Sequence, residues 1–304
     1  MAKVGVIGLG PVGATIAARI MQKGVATELV LIDLNVKKAQ SEVIDLKDSS
    51  SLLAHYTNVY VGTYEDLSDA DVVISALGNI SAALESGDRF AELKSNVPAV
   101  RSVASSLKKV GFIGKVLVAT NPNDVLTKLF ADELNLPDGS VFGTGCLLDT
   151  MRMQHYVSEV LNVNSRSVEG YVIGEHGPTQ VVAWSTVNIG GKNINEYASE
   201  FNIDFAELEL KIKVGGFSVV SGKGFTNVAI AESTTHILDA ILTDAKTILP
   251  VSSYHKNHDV FISSPAVVGK KGVEKILDLR LVDDEQVLFN ESVKTIQEQQ
   301  QQIK

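Results

Sequence analysis

Three polar clusters in this chain combine residue types that can move a proton and hold an anion. In Gly174-Glu175-His176-Gly177 a histidine stands between glycines after an apolar run. Its ordinary pKa lies near neutrality, so it can give or take a proton at physiological pH. A surface or satisfied core histidine would look the same in sequence. The second cluster is Gly143-Thr144-Gly145-Cys146-Leu147-Leu148-Asp149-Thr150-Met151-Arg152. Asp149 and Arg152 lie three apart at the start of an expected helix, so both can face one side. An intrahelical ion pair near a helix N-terminus accounts for them equally well. Third, Gly87-Asp88-Arg89 ends a long loop after Gly78. A loop arginine is ordinarily just solvated, though its planar fork suits a carboxylate.

The elements that must position these groups follow from hydrophobic period. Apolar runs at 4–7, 28–33, 58–61, 71–76 and 115–119 alternate with helical patterns at 12–23, 36–50, 96–110 and 124–134. Continuous apolar strands separated by helices predict a parallel sheet covered on both faces. Beyond 142–148 the pattern changes. A helix is expected at 149–161, then two strands around a Gly-rich turn at 167–189. Helices are expected at 205–214 and 227–248, antiparallel strands at 260–268 and 272–279, and a polar helix at 283–304. The fold class is thus α/β: an N-terminal Rossmann doubly wound parallel sheet (1–142), followed by an α+β substrate and catalytic domain (143–304).

Gly8-Leu9-Gly10-Pro11-Val12-Gly13 follows the first strand and opens the first helix. The three glycines allow a tight turn, close approach of a pyrophosphate, and tight helix–strand packing. The helix N-terminus offers free N–H groups to the phosphates. Asp33 ends the second strand, placed to accept from ribose hydroxyls and to repel a 2′-phosphate, which favours NAD over NADP. FAD uses a similar fingerprint, and a Gly-rich turn with Asp33 capping a helix is the plainer alternative.

Bulk properties narrow the partners. The formal net charge is −9 over 304 residues. Such a chain repels nucleic acid and anionic lipid, so an anionic ligand must be drawn by local cations. A lone cysteine, Cys146, excludes an intrachain disulfide or a thiolate metal site and fits a reducing cytoplasm. No metal is expected. No leader pattern or spanning apolar run is visible. A soluble, cytoplasmic protein is expected.

Together with Thr120-Asn121-Pro122, these strings occur in an order and spacing that resembles the L-lactate/malate dehydrogenase family over nearly the whole chain. The resemblance implies a 2-hydroxy acid substrate of L configuration, NAD as cofactor, and a homodimer or homotetramer. It assigns His176 as general acid and base. Asp149 fixes the His176 tautomer, and Arg152 holds the substrate carboxylate. Arg89 polarises the carbonyl when its loop closes. Asn121 would lie near the nicotinamide and the substrate oxygen, and Thr226 near the substrate side chain. Gly8, Gly10, Val12, Gly13 and Asp33 would carry the dinucleotide.

The loop before Arg89 bears on the choice of acid. It reads Asn79-Ile80-Ser81-Ala82-Ala83-Leu84-Glu85-Ser86-Gly87-Asp88. It lacks the second arginine that malate enzymes carry for the distal carboxylate, and Glu85 would repel one. The loop is longer than is usual for lactate enzymes and supplies Ile80, Ala82, Ala83 and Leu84 as apolar walls. Strings here and at Ala183-Trp184-Ser185-Thr186-Val187 are similar to the bacterial L-2-hydroxyisocaproate dehydrogenase branch. They imply 2-oxo acids with medium or branched apolar side chains; the alternatives are an L-lactate dehydrogenase and a catalytically silent NAD-binding scaffold. Family enzymes activated by fructose 1,6-bisphosphate carry an arginine and a histidine where this chain has Gln154 and Glu169, so no such activation is expected.

Overall fold

The computed structural model describes residues 2–78 and 89–303, and side chains within that range except for residues 89–91. The loop residues Asn79, Ile80, Ser81, Ala82, Ala83, Leu84, Glu85, Ser86, Gly87 and Asp88, and the side chain of Arg89, lie outside the described residues.

The first half builds the expected parallel sheet. Its strands are β1 (Lys3–Ile7), β2 (Glu28–Ile32), β3 (Asn58–Val61), β4 (Val72–Ser75), β5 (Lys115–Val118) and β6 (Val141–Gly143). They lie in the order β3-β2-β1-β4-β5-β6, so the chain reverses its winding beside β1. That crevice is where doubly wound sheets bind ligands. The intervening helices are α1 (Pro11–Lys23), α2 (Val36–Ser49), α3 (Arg89–Lys109) and α4 (Asn123–Leu134). Strand residues alternate between two cores. Val4, Val6, Val72 and Ile74 pack with Ile16 and Ile20 of α1. Ile7, Val73, Val116 and Val118 face the opposite core with Leu93 and Leu107 of α3 and Phe130 of α4. Both faces are therefore covered, which is why these strands read as unbroken apolar runs.

α3 starts seven residues before the expected 96, with Pro98 inside it. A proline lacks the N–H of an interior helical bond, so sequence alone places it near a first turn.

The second half begins with α5 (Leu147–Leu161) and four two-residue strands, β7 (Val168–Glu169), β8 (Val172–Ile173), β9 (Val181–Val182) and β10 (Asn188–Ile189). The expectation of two strands over 167–189 is corrected by this. Glycines at 170 and 174, both with positive φ, break the run into pieces. β10 also pairs with β11 (Lys192–Asn193). α6 (Phe205–Lys223) and α7 (Val228–Leu242) follow.

The expected helix at 227–248 is also corrected. It stops at Leu242, and β12 (Thr247–His255) takes over. β12 pairs antiparallel with β13 (Val260–Gly269), and β13 with β14 (Gly272–Ile276). On its other side β12 meets β6, with Ser252 opposite Gly143. One nine-stranded sheet thus runs through both halves of the chain. α8 (Asp283–Gln301) closes the described fold against the second core. Among the described residues no helix is long and apolar enough to cross a membrane.

Candidate active site

The glycine fingerprint forms the turn between β1 and α1. Gly8 has φ +90°, and a Cβ there would lie 2.7 Å from the Ala76 carbonyl oxygen. At Gly13 a Cβ would lie 1.8 Å from the Gly8 oxygen, whereas at Gly10 it would meet nothing within 4 Å. The open space over Gly10 is what a phosphate needs, and no side chain caps α1, which leaves N–H groups of its first turn for an anion. A cavity of about 280 Å³ lies here, bounded by Gly10, Pro11, Thr15, Lys38, Phe225 and Asn227. Val12 sits half-buried in the first turn of α1. Asp33 leaves β2 and ties back to the turn: its Oδ2 accepts from Leu9 N–H at 2.7 Å and its Oδ1 from Asn35 N–H at 2.8 Å. The residues present fit an adenine dinucleotide.

α5 and the β8–β9 connection bring the proton-handling groups together. His176 Nδ1 lies 2.6 Å from Asp149 Oδ2, and Arg152 Nη1 donates to Asp149 Oδ1 at 2.7 Å. Asp149 is 1% exposed. Burial alone would push its carboxyl upward, but the His176 and Arg152 charges and hydrogen bonds outweigh that and hold it low. Burial pulls His176 down, but the charge and hydrogen bond of Asp149, aided by Asp124, carry its pKa above the ordinary value. The pair is therefore built to keep an imidazolium next to a carboxylate. Sequence spacing leaves an intrahelical pair and a site equally open; the structure makes both at once, since Asp149 bridges His176 and Arg152.

Cys146, Asp149 and His176 offer donor atoms within 4.8 Å of one another. Both Asp149 oxygens are already committed, Arg152 adds positive charge, and burial pushes the Cys146 thiol well up. This donor set is poorly suited to a cation.

Asn121 is exposed, and its backbone carbonyl accepts from Asn96 Nδ2 at 2.8 Å. Thr226 is half-buried between α6 and α7. Arg89 begins α3, with its side chain outside the described residues.

Sequence reasoning missed three contributors. Asp124, in the first turn of α4, accepts from the backbone N–H of His176 at 2.8 Å. Glu175 is buried and accepts from Thr179 Oγ1 at 2.6 Å and Gln299 Nε2 at 2.8 Å, so α8 braces the histidine's neighbour. Gly215 and Gly216 of α6 lie against Arg152: Cβ atoms there would come within 3.1 Å of its Cδ and 3.3 Å of its Nη2, respectively. Adjacent glycines inside a helix, each costing about 1 kcal/mol against alanine, were the available signal.

A dinucleotide turn at a sheet's winding reversal, in one fold with a carboxylate–histidine–arginine set, suits a dehydrogenase that pairs hydride with proton transfer. Comparison with known proteins gives the family. Residues 2–143 match the lactate/malate dehydrogenase NAD binding domain, and residues 146–304 the lactate/malate dehydrogenase alpha/beta C-terminal domain. The chain belongs to the lactate/malate dehydrogenase family and is an NAD-dependent oxidoreductase of 2-hydroxy acids. It is 38% identical over 300 residues to L-lactate dehydrogenase 2 of Enterococcus faecalis, covering 96% of this chain and 94% of that one. It is 36% identical over 305 residues to L-lactate dehydrogenase 1 of Bifidobacterium longum subsp. longum, covering 97% and 96%. The ligand-bound crystal structure of the minor L-lactate dehydrogenase from Enterococcus mundtii superposes with a TM-score of 0.95 at 36% identity, covering 100% of this chain and 98% of that one.

Proposed function

We propose that this chain interconverts pyruvate and L-lactate, with His176 as the proton donor and acceptor. The single observation that carries the chemistry is Asp149 bridging His176 and Arg152 at 2.6 and 2.7 Å; the choice of pyruvate rests on the names of the relatives. When bound, the dinucleotide supplies or accepts the hydride. With Nδ1 held by Asp149, the Nε2 of His176 is left to give its proton to the substrate oxygen in reduction and to take it back in oxidation. Asp149 fixes the tautomer and stabilises the imidazolium. Arg152 spends one N–H on Asp149 and has four left to grip a carboxylate. Arg89 joins this reading as the group that polarises the carbonyl, Asn121 as a contact to nicotinamide and substrate, and Thr226 as a neighbour of the substrate side chain. Gly8, Gly10, Val12, Gly13 and Asp33 form the dinucleotide seat.

A second reading, 2-oxoisocaproate and similar acids, is favoured by the loop sequence with Ile80, Ala82, Ala83 and Leu84 and no second arginine. Steady-state reduction of pyruvate, oxaloacetate and 2-oxoisocaproate with NADH separates the readings. Highest kcat/KM for pyruvate supports the first, and highest for 2-oxoisocaproate replaces it with the second. Turnover of none leaves a silent NAD-binding scaffold. Activation by fructose 1,6-bisphosphate is not expected, because Gln154 is engaged with the Val168 carbonyl at 3.0 Å and Glu169 is an exposed carboxylate. A fall in KM on adding that ligand refutes this. The family's homodimers or homotetramers extend to this chain as a proposal that light scattering checks.

A further inference from the structure

Asp124 is 2% exposed and stands in the first turn of α4. Its Oδ2 accepts from the His176 backbone N–H at 2.8 Å, and its Oδ1 from the Ser252 hydroxyl at 2.5 Å. Ser252 is itself locked in the sheet opposite Gly143. A carboxyl with these two partners links the antiparallel strands, a helix of the dinucleotide half and the histidine loop. We infer that Asp124 is a positioning residue for His176, holding its backbone while Asp149 holds its ring and adding a second negative charge that favours the imidazolium. The inference rests on His176 being the proton carrier of the reading above.

The charged and titratable surroundings are consistent with this role. Glu175 neighbours His176 on the same loop, α5 contributes Asp149 and Arg152, Cys146 precedes that helix, and β12 contributes the neutral Ser252. Asp124 and Asp149 both favour protonated His176, and Arg152 opposes it. Burial pushes the Asp124 carboxyl up to about 6, even though Ser252 and the His176 N–H pull it down. Burying such a carboxyl is costly unless its oxygens are hydrogen-bonded, and each oxygen of Asp124 has a partner. The N-terminus of α4 offsets part of that cost.

Asp124→Asn keeps the shape and an acceptor for the His176 N–H, and Ser252 can accept from the new amide. Asp124→Ala removes both. In Asp124→Asn the KM for pyruvate is expected to stay within about twofold. The alkaline fall of kcat/KM for reduction moves to lower pH, roughly threefold in rate at a fixed alkaline pH for each half unit. In Asp124→Ala kcat falls by about tenfold or more. NMR titration of the His176 ring, assigned with His176→Gln, reads the same shift without turnover. It therefore separates failure of this inference from failure of the dehydrogenase reading, which would show as wild-type enzyme inert on every 2-oxo acid. If Asp124→Asn does not fold, Ser252→Ala weakens the carboxylate in place and shifts His176 in the same direction. A wild-type ring titration and pH profile in Asp124→Asn, or in Ser252→Ala in its stead, overturns the inference.

Discussion

Replacing Gly215 and Gly216 together by alanine sets two calculable effects against each other. Both lie inside α6 with no positive φ, so alanine fits the backbone and gains about 1 kcal/mol per site in helix propensity. For a chain of this size that is roughly 2–4 °C in Tm per kcal/mol. The new Cβ atoms would stand 3.1 Å from Cδ and 3.3 Å from Nε and Nη2 of Arg152, closer than comfortable contact, so the guanidinium must retreat by a few tenths of an ångström. Its Nη1 is pinned to Asp149 at 2.7 Å, so the fork turns instead of sliding. A charge-assisted hydrogen bond is worth about 1.5–3 kcal/mol, and losing half of a bidentate grip raises KM for pyruvate roughly 10- to 150-fold. kcat should change less, because the carboxylate is held alike in ground and transition states. Thermal denaturation and steady-state kinetics read the two effects separately. A higher Tm with unchanged KM refutes the argument that the glycines seat Arg152 for a substrate.

Asp149→Asn removes the charge that raises His176, so pyruvate reduction at neutral pH should fall by about a hundredfold or more, as loss of an orienting carboxylate does elsewhere; kinetics across pH 5–9 check this. Asp33→Ser abolishes the acceptor that Leu9 N–H uses at 2.7 Å and the repulsion of a 2′-phosphate. KM for NADH should rise about tenfold while the NADPH-to-NADH ratio of kcat/KM improves, and both are read by cofactor titration. Asp124 has a folded pKa raised from 3.8 to about 6, so ionising it costs the folded state more than the unfolded one. Its contribution to stability is fully present below pH 3.8 and is lost as pH rises through 6, about 3 kcal/mol by neutrality. Asp124→Asn should therefore gain in Tm over wild type as pH rises from 4 to 7. A constant difference refutes the sign.

The parallel half of the fold was legible because each strand is a closed apolar run between helical periods. β12 was not, for two physical reasons. Its run is cut early by Pro250 and then by the polar Ser252 and Ser253, so it never shows the longer apolar stretches that mark β13 in spite of Pro265. The preceding helix also ends without glycine: Asp244 and Lys246 take positive φ themselves, so no stop signal marks the break. In the candidate site, His176, Asp149 and Arg152 stand out in sequence because their residue types announce chemistry, and the fold brings the three side chains together. Asp124 was missed because an acid in a first helical turn reads as a partner for the helix dipole. Only the long-range fold, which joins residues 124, 176 and 252, gives it a different task.

The antiparallel seam between β6 and β12 also governs how the protein can be made. Gly143 emerges from the ribosome about a hundred residues before Ser252, the strand partner that covers it. At ordinary synthesis rates that edge stays bare for roughly 5–20 seconds. It offers unpaired N–H and carbonyl groups to any neighbouring nascent chain. A fragment ending near residue 142 would keep that edge permanently, so the dinucleotide half, though a recognisable unit, is expected to self-associate when produced alone. The later strands serve as the stopper for a sheet that is otherwise finished early.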